Sequence, residues 1–181
     1  MFVHPVDEEL YLRIAEEEDV EELFWLTDQS REYLREWLPW IDRIKSKQDS
    51  KAFIESSQQG FAEFTSMNLV ILYRGKLIGV SGFNEMDTEN KTAYIGYWLG
   101  KDFQGQGIMN RVVRSLMDYA FHVLQFNRIE IRVAVGNKKS RAIPEKLGFK
   151  KEGILREAEW LYDHYVDHII YGFLASDNPK T

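Results

Sequence analysis

The chain has 181 residues, 44% of them hydrophobic and 29% charged, which is typical of a single folded domain and argues against a disordered chain. Its 29 acidic residues exceed its 23 Lys and Arg residues, so the formal net charge is −6 and the broad basic surface of a nucleic-acid-binding protein is not expected. The absence of cysteine excludes disulfides, cysteine-ligated metal sites and a cysteine nucleophile.

The first part of the chain predicts one strand and a group of helices. The acidic residues 1–9 lack the basic-then-apolar order of a signal peptide, and no apolar run approaches the ~18 residues of a membrane span. We therefore expect a cytoplasmic protein that does not enter a membrane. Apolar spacing predicts a strand at 10–14 and helices at 19–30, 32–37 and about 50–64, the last capped by Asp49 or Ser50.

The rest of the chain predicts a sheet with two further helices. Apolar residues at i, i+3, i+4 and i+7 spacing predict an amphipathic helix at 109–124, and Asn137 can cap a second helix at 138–147. Strands are predicted at 68–73, 77–84, 91–100, 128–135, 149–155 and 165–173. We expect an α/β (α+β) fold with a mixed, mostly antiparallel sheet flanked by helices. It would form one domain over residues 1–181, with elements from about 10 to 174 and a short C-terminal tail at 175–181.

The junction between the strand that ends near Leu99 and the following helix contains Gly105 and Gly107. Free N–H groups at a helix start can bind phosphate, and glycines let the backbone approach a ligand closely. Two nucleotide-binding motifs do not fit, since no Gly-x-x-x-x-Gly-Lys-Ser/Thr run is present and Asn110 stands where Gly-x-Gly-x-x-Gly needs its third glycine. From this pattern alone, both a phosphate-binding loop and an ordinary strand-to-helix turn remain open.

Residues 104–109 resemble motif A of the GCN5-related N-acetyltransferases, Gln/Arg-x-x-Gly-x-Gly/Ala, although Met109 replaces the last Gly or Ala. Residues 137–149 resemble motif B of the same family, and the order of elements matches it over about residues 10–174. Three segments resemble the ribosomal-protein N-terminal acetyltransferase (RimJ/RimL-like) branch of this family: residues 35–40, residues 95–99, and residues 137–142 with 152–159 downstream. The resemblance implies the fold of this family and acetyl-CoA as the co-substrate, with no metal.

The resemblance also implies where acetyl-CoA would bind. Its pantetheine arm would pair with the strand that ends Tyr97, Trp98 and Leu99, with the Leu99 backbone on the thioester carbonyl. Asn137 would hydrogen-bond the pantetheine, and Ser140 would lie near the sulfur. The pyrophosphate would bind main-chain amides of the loop Gln104, Gly105, Gln106, Gly107, Ile108 and Met109, with the Met109 side chain packed inward.

Two catalytic residues follow from the resemblance: Ser140, which would protonate the leaving thiolate, and Glu159, which would activate the amine through a water. Ser140 can equally serve only the helix start after Asn137, and Glu157 and Glu85 are other candidates for the base. A protein α-amine, with a pKa of about 7.7–8.0, is roughly a quarter neutral near pH 7.4. A carboxylate acting through a water would therefore suffice for an N-terminal acceptor. A lysine acceptor would need stronger catalytic help to lose its proton.

Aromatic and histidine residues offer further candidates. Trp37 and Trp40 flank a proline and can bind the acceptor or pack half-buried. His164 and His168 have the spacing of a metal pair only on a helix, and their neighbours alternate as in a strand, so no metal is expected. Further candidate proton donors are Tyr162, Tyr165 and Tyr171, although each of these side chains can instead pack in the core.

These features predict an acetyl-CoA-dependent N-acetyltransferase that acts on the N-terminal α-amine of a ribosomal or similar protein. The absence of cysteine favours direct attack in a ternary complex. The alternatives are the same chemistry on a polyamine, an aminoglycoside or a protein lysine, and a coenzyme A-binding sensor without turnover. No direct nucleic-acid or membrane partner is expected, and the aromatic-rich composition is compatible with a homodimer.

Overall fold

One sheet organises the fold, as seen in a computed structural model that describes residues 2–179. Within these residues the strands are β1 (Val3–Pro5), β2 (Leu10–Arg13), β3 (Met67–Tyr73), β4 (Lys76–Asp87), β5 (Thr92–Leu99), β6 (Arg128–Ala134), β7 (Lys150–Leu161) and β8 (His164–Leu174). The helices are α1 (Val20–Gln29), α2 (Arg31–Leu34), α3 (Lys47–Ala62), α4 (Ile108–Asp118) and α5 (Lys138–Lys146). None of these helices is both long and apolar enough to cross a membrane.

The strands lie in the order β1-β2-β3-β4-β5-β6-β8-β7, and each neighbouring pair is antiparallel except β5 and β6. Successive side chains of a strand point to opposite sides of the sheet, so each strand can pack against helices on both faces. Leu69 and Ile71 of β3 pack in the same cluster as the apolar side of α4, whereas Val70 and Leu72 pack with apolar residues of α1 and α3. The predicted mixed, mostly antiparallel sheet flanked by helices is confirmed.

Several elements differ from their predictions. The helix predicted at 109–124 is α-helical only to Asp118 and continues as a π-helical turn over Tyr119–Val123, and the helix predicted at 32–37 ends at Leu34. The sequence predicts no strand at Val3–Pro5, where β1 is too short to show an alternating pattern. The strand predicted at 149–155 continues to Leu161, because a bulge interrupts its alternation. Helix α3 begins after Ser46, so the predicted caps Asp49 and Ser50 are wrong. The Asp49 carboxylate instead lies in the first turn and accepts the Ser46 N–H at 2.9 Å, which closes a capping box.

The two parallel strands separate after a short contact. Thr92–Tyr94 of β5 pairs with Arg128–Glu130 of β6, yet β5 runs on to Leu99 and β6 to Ala134 without further register between them in the described part of the chain. The β5–β6 gap, between the last halves of these strands, opens toward the start of α5. A gap inside a sheet leaves main-chain groups without strand partners, so it is the natural place to seek a ligand site.

Candidate active site

Two cavities flank the β5–β6 gap. The acceptor cavity, as we name the larger one, has a volume of about 710 Å³ and includes Trp40, Glu159 and His168 in its wall. The smaller, loop-side cavity has a volume of about 310 Å³ and includes Gln104 and Met109. Residues shared by both walls are Trp37, Leu38, Tyr97, Trp98, Asn137 and Ser140. The cavities therefore meet at the end of β5 and the start of α5.

The backbone of β5 offers free groups to the gap. Gly100 N–H donates to the Ile78 carbonyl at 2.8 Å, which identifies this pair as a hydrogen-bonded pair of the ladder between β4 and β5. Since bonded and non-bonded pairs alternate in an antiparallel ladder, the main-chain groups of Tyr97 and Leu99 turn away from β4 and toward β6. The Leu99 carbonyl accepts a hydrogen bond from Gln104 Nε2 at 3.1 Å. The Leu99 N–H faces the gap.

The backbone of the loop before α4 has a conformation that can bind an anion. Gly105 and Gly107 have φ values of +74° and +72°, and an added Cβ at either position would meet no atom within 4 Å. Gly107 is the N-cap of α4, and no side chain caps this helix, so the first N–H groups of α4 are left for a ligand. Met109 is buried in the main core, as predicted, which keeps its side chain off the exposed loop.

Ser140 is held at the meeting point of the cavities by two neighbours. The Tyr97 hydroxyl donates to the Ser140 carbonyl at 2.9 Å, and the Ser140 hydroxyl donates to Tyr97 Oη at 3.3 Å. Asn137 Oδ1 accepts the Ser140 N–H at 3.3 Å, which confirms Asn137 as the cap of α5. Burial raises the pKa of the Tyr97 phenol, so this group stays protonated and remains a donor at neutral pH.

Of the three candidate bases, only Glu159 lines a cavity. Its Oε1 lies 3.5 Å from His168 Nε2, and 34% of its side chain is exposed. Glu85 and Glu157 are exposed and line neither cavity. The acceptor cavity also has Asn84 in its wall, an extra residue at a bulge of β4.

Family comparison identifies the chain. Residues 9–150 match the family described as the acetyltransferase (GNAT) domain. The chain belongs to the GNAT acetyltransferase family. YdaF of Bacillus subtilis (strain 168), whose name assigns it provisionally to the ribosomal N-acetyltransferases, is 35% identical over 178 residues, covering 98% of this chain and 97% of that protein. The ribosomal-protein-serine acetyltransferase of Escherichia coli (strain K12) is 32% identical over 170 residues, covering 92% of this chain and 93% of that protein.

A solved structure agrees with this family. RimL, described as a ribosomal L7/L12 alpha-N-protein acetyltransferase in complex with coenzyme A, superposes with a TM-score of 0.93 at 29% identity. The alignment covers 98% of this chain and 100% of RimL. The predicted family, its RimJ/RimL-like branch and its fold are thus confirmed for this GNAT protein. The free β5 groups and the open glycine loop fit a ligand with an extended arm and phosphates.

Aromatic side chains form one wall of the acceptor cavity of this GNAT protein. The rings of Trp40 and Trp98 lie 6.1 Å apart, and Tyr94 lies farther along β5. Trp37 lies at the junction of the cavities, where its ring would be 2.8 Å from a Cβ added at Gly136. Both predicted acceptor-site tryptophans therefore lie at the cavities, each half-buried.

The predicted tyrosine donors lie elsewhere. Tyr171 is buried and donates to Glu145 at 2.7 Å, Tyr162 donates to the Arg35 carbonyl at 2.5 Å, and Tyr165 is exposed beside Trp160. None of the three lines either cavity.

The histidines of the GNAT protein lie on a strand, as expected. His164 and His168 belong to β8 and contact different acids, Asp163 and Glu159. Sequence reasoning assigns Tyr97 only a backbone role and gives His168 no role beside Glu159. Tyr97 reaches Ser140 across 43 positions, and His168 reaches Glu159 through the bulged pairing of β7 with β8, so neither contact leaves a periodic pattern in the sequence.

Tyr97→Phe tests the support of Ser140. The substitution removes the hydrogen bond from the Tyr97 hydroxyl to the Ser140 carbonyl, so we expect the free energy of unfolding to fall by about 1 kcal/mol. Urea denaturation measures this change. Tyr11→Phe is the control, because the Tyr11 hydroxyl makes no hydrogen bond in the described part of the chain and its ring also packs half-buried on a core cluster. Equal stability of both variants would contradict the support role.

Proposed function

We propose that this GNAT protein transfers the acetyl group of acetyl-CoA to the N-terminal α-amine of a ribosomal protein, in the cytoplasm. One observation carries the proposal: two cavities meet at the end of β5, with Ser140 in both walls and Glu159 in the larger. This arrangement gives cofactor and acceptor separate entrances to one reacting point. The names of the full-length relatives support a ribosomal acceptor. Residues 1–181 form a single N-acetyltransferase domain in this proposal.

The loop-side cavity would bind acetyl-CoA. In the proposal the main chain of residues 104–109 holds the pyrophosphate, since the glycines leave room and the start of α4 supplies free N–H groups. The pantetheine runs along Tyr97, Trp98 and Leu99, and the Leu99 N–H binds the thioester carbonyl. Asn137 hydrogen-bonds the pantetheine through its amide nitrogen, because its Oδ1 already caps α5.

The acceptor cavity would hold the amine near Glu159. In the proposal this carboxylate accepts a proton from the amine through a water, as a general base. An α-amine needs only this modest help because roughly a quarter of it is neutral near pH 7.4. After turning from Tyr97 Oη, the Ser140 hydroxyl gives a proton to the departing thiolate and takes one back from water, so that the thiol leaves and the serine is restored. Direct attack is favoured, since a chain without cysteine cannot form a cysteine-linked acyl intermediate.

The charges of the acceptor cavity do not favour a polyamine. Two acids, Glu130 and Glu159, and two bases, Arg43 and Arg132, contribute to its wall. Glu130 is buried and bonded to Arg132 at 2.7 Å and to Arg128 at 3.1 Å, so its charge is compensated. A polycation would prefer a cavity with a net negative charge. The mixed charge and aromatic wall suit a peptide N-terminus.

An acceptor panel tests the proposed function. Release of the coenzyme A thiol is read with a thiol-reactive dye, and the absence of cysteine removes the background of the protein. The acceptors are peptides that start with Ser or Ala, the same peptides with blocked N-termini and a free lysine, spermidine and an aminoglycoside. We expect release only with free N-termini. Equal release with blocked peptides or spermidine would contradict the proposal, and silence with tight acetyl-CoA binding would favour the sensor.

Trp40→Ala tests the acceptor wall. Because the Trp40 ring lies in the acceptor cavity and not in the loop-side cavity, we expect the KM for a Ser-starting peptide to rise about 10-fold with unchanged acetyl-CoA affinity. Steady-state kinetics and calorimetric titration measure the two quantities. Trp25→Ala is the matched control, since Trp25 is an exposed tryptophan of α1 outside both cavities. An unchanged peptide KM in Trp40→Ala would remove this residue from the acceptor site.

A further inference from the structure

Strand β7 contains a bulge that sets the position of Glu159. Leu155 pairs with His168 and Glu159 pairs with Val166, so three residues of β7 lie opposite the single residue Asp167. An uninterrupted ladder from Leu155 would place Glu157 opposite Val166. The bulge therefore places Glu159 opposite Val166 instead of His164, a shift of two residue positions, or roughly 7 Å at the ~3.4 Å rise of an antiparallel strand.

Asp167 makes the contact that closes this bulge. Its carboxylate Oδ1 accepts the Glu157 N–H at 2.7 Å, at the residue where the chain adopts a φ of +47°. The left-handed conformation is unfavourable for a non-glycine residue, so it needs support from the surrounding structure. The Asp167 carbonyl accepts the Val135 N–H at 3.0 Å, just beyond β6. One residue thus ties the bulge of β7 to β8 and to the end of β6.

We propose that Asp167 is a positioning residue for the acetyl transfer, which holds the β7 bulge so that Glu159 enters the acceptor cavity beside His168. This inference rests on the proposed function, in which Glu159 is the base. Asp167 itself lines neither cavity. Loss of its carboxylate frees the Glu157 N–H and lets the ladder relax toward the uninterrupted register, which would carry Glu159 away from the junction of the cavities. The role depends on a hydrogen-bond acceptor and not on charge.

The test compares Asp167→Ala with Asp167→Asn, which keeps the Oδ1 acceptor and removes the charge. We expect Asp167→Ala to lower kcat at least about 10-fold with a Ser-starting peptide, since a displacement of even 1 Å at a reacting group is costly. Asp167→Asn should retain nearly wild-type kcat. Both variants should bind acetyl-CoA as tightly as the wild type, because the loop-side cavity is untouched. Asp163→Ala, in the neighbouring turn, is the surface control.

A double-mutant cycle with Glu159→Gln separates positioning from a general structural effect. If Asp167 acts through Glu159, Asp167→Ala should cause little further loss in the Glu159→Gln background. Wild-type kcat in Asp167→Ala, no rescue by Asn, or full additivity of the two losses would overturn this inference alone. Wild-type kcat in Glu159→Gln would overturn the proposed base as well. If Asp167→Ala does not fold, Asp167→Glu, which moves the acceptor by one methylene, replaces it with the same expectation.

Discussion

Glu159→Gln is expected to lower kcat for a Ser-starting peptide about 100-fold. Glutamine keeps the size of the side chain but cannot accept the proton of the amine, and general bases contribute at least about 10² to turnover. The affinity for acetyl-CoA should not change, because Glu159 lines the acceptor cavity and not the loop-side cavity. Steady-state kinetics gives kcat, and calorimetric titration gives the acetyl-CoA Kd.

Glu157→Gln is the matched control for this prediction. Glu157 lies two residues away on the same strand, and its exposed side chain lines neither cavity. Its contribution to the bulge is the main-chain N–H, which the substitution keeps. We expect nearly wild-type kcat for this variant. Equal losses of kcat in both glutamine variants would point to an effect of the negative charge of the strand. An unchanged kcat in Glu159→Gln would contradict the role of Glu159 as the general base.

Gly107→Trp is expected to abolish measurable binding of acetyl-CoA, with a loss of affinity of about 100-fold or more. The φ of +72° at Gly107 is unfavourable for any side chain, and an indole here would stand over the open loop at the start of α4. The phosphates would lose the approach to the main chain that the glycine allows. Calorimetric titration with acetyl-CoA and with coenzyme A measures the effect.

Gly75→Trp separates backbone strain from loss of the phosphate site. Gly75 has a φ of +80° and, like Gly107, no atom within 4 Å of an added Cβ. It lies in the hairpin between β3 and β4, away from both cavities. Both substitutions should cost stability of about 1–2 kcal/mol from the left-handed conformation. Only Gly107→Trp should lose acetyl-CoA, and retained affinity in that variant would contradict the loop assignment.

The architecture and the loop-side cavity could be predicted from local patterns. The apolar stripe of α4, the alternation of β3 to β6 and the Asn137 cap of α5 each depend on residues close in sequence. The glycine loop is likewise contiguous, so its resemblance to motif A can be recognised from the sequence, and the proposed phosphate site follows from that resemblance. Ser140 is proposed from the family resemblance, and the Asn137 cap three residues before it fixes its place at the start of α5.

The acceptor cavity depended on features that no local pattern encodes. Residues 156–159, three of which are charged, end the alternation of β7, and the bulge at this point is bonded to Asp167 of the neighbouring strand. Tyr97 supports Ser140 across 43 positions of sequence through its hydroxyl. His168 contacts Glu159 only because of the bulge register. These contacts join residues 9 to 43 positions apart through side chains or irregular backbone, which periodicity cannot show.

The central claim is that the acceptor is an N-terminal α-amine, and site-resolved mass spectrometry tests it most directly. A peptide that starts with Ser and contains one internal Lys is incubated with the protein and acetyl-CoA, and fragmentation locates the added acetyl group. We predict a single acetyl group on the α-amine of the first residue and none on the lysine. Acetylation of the lysine side chain with a free N-terminus would contradict the claim.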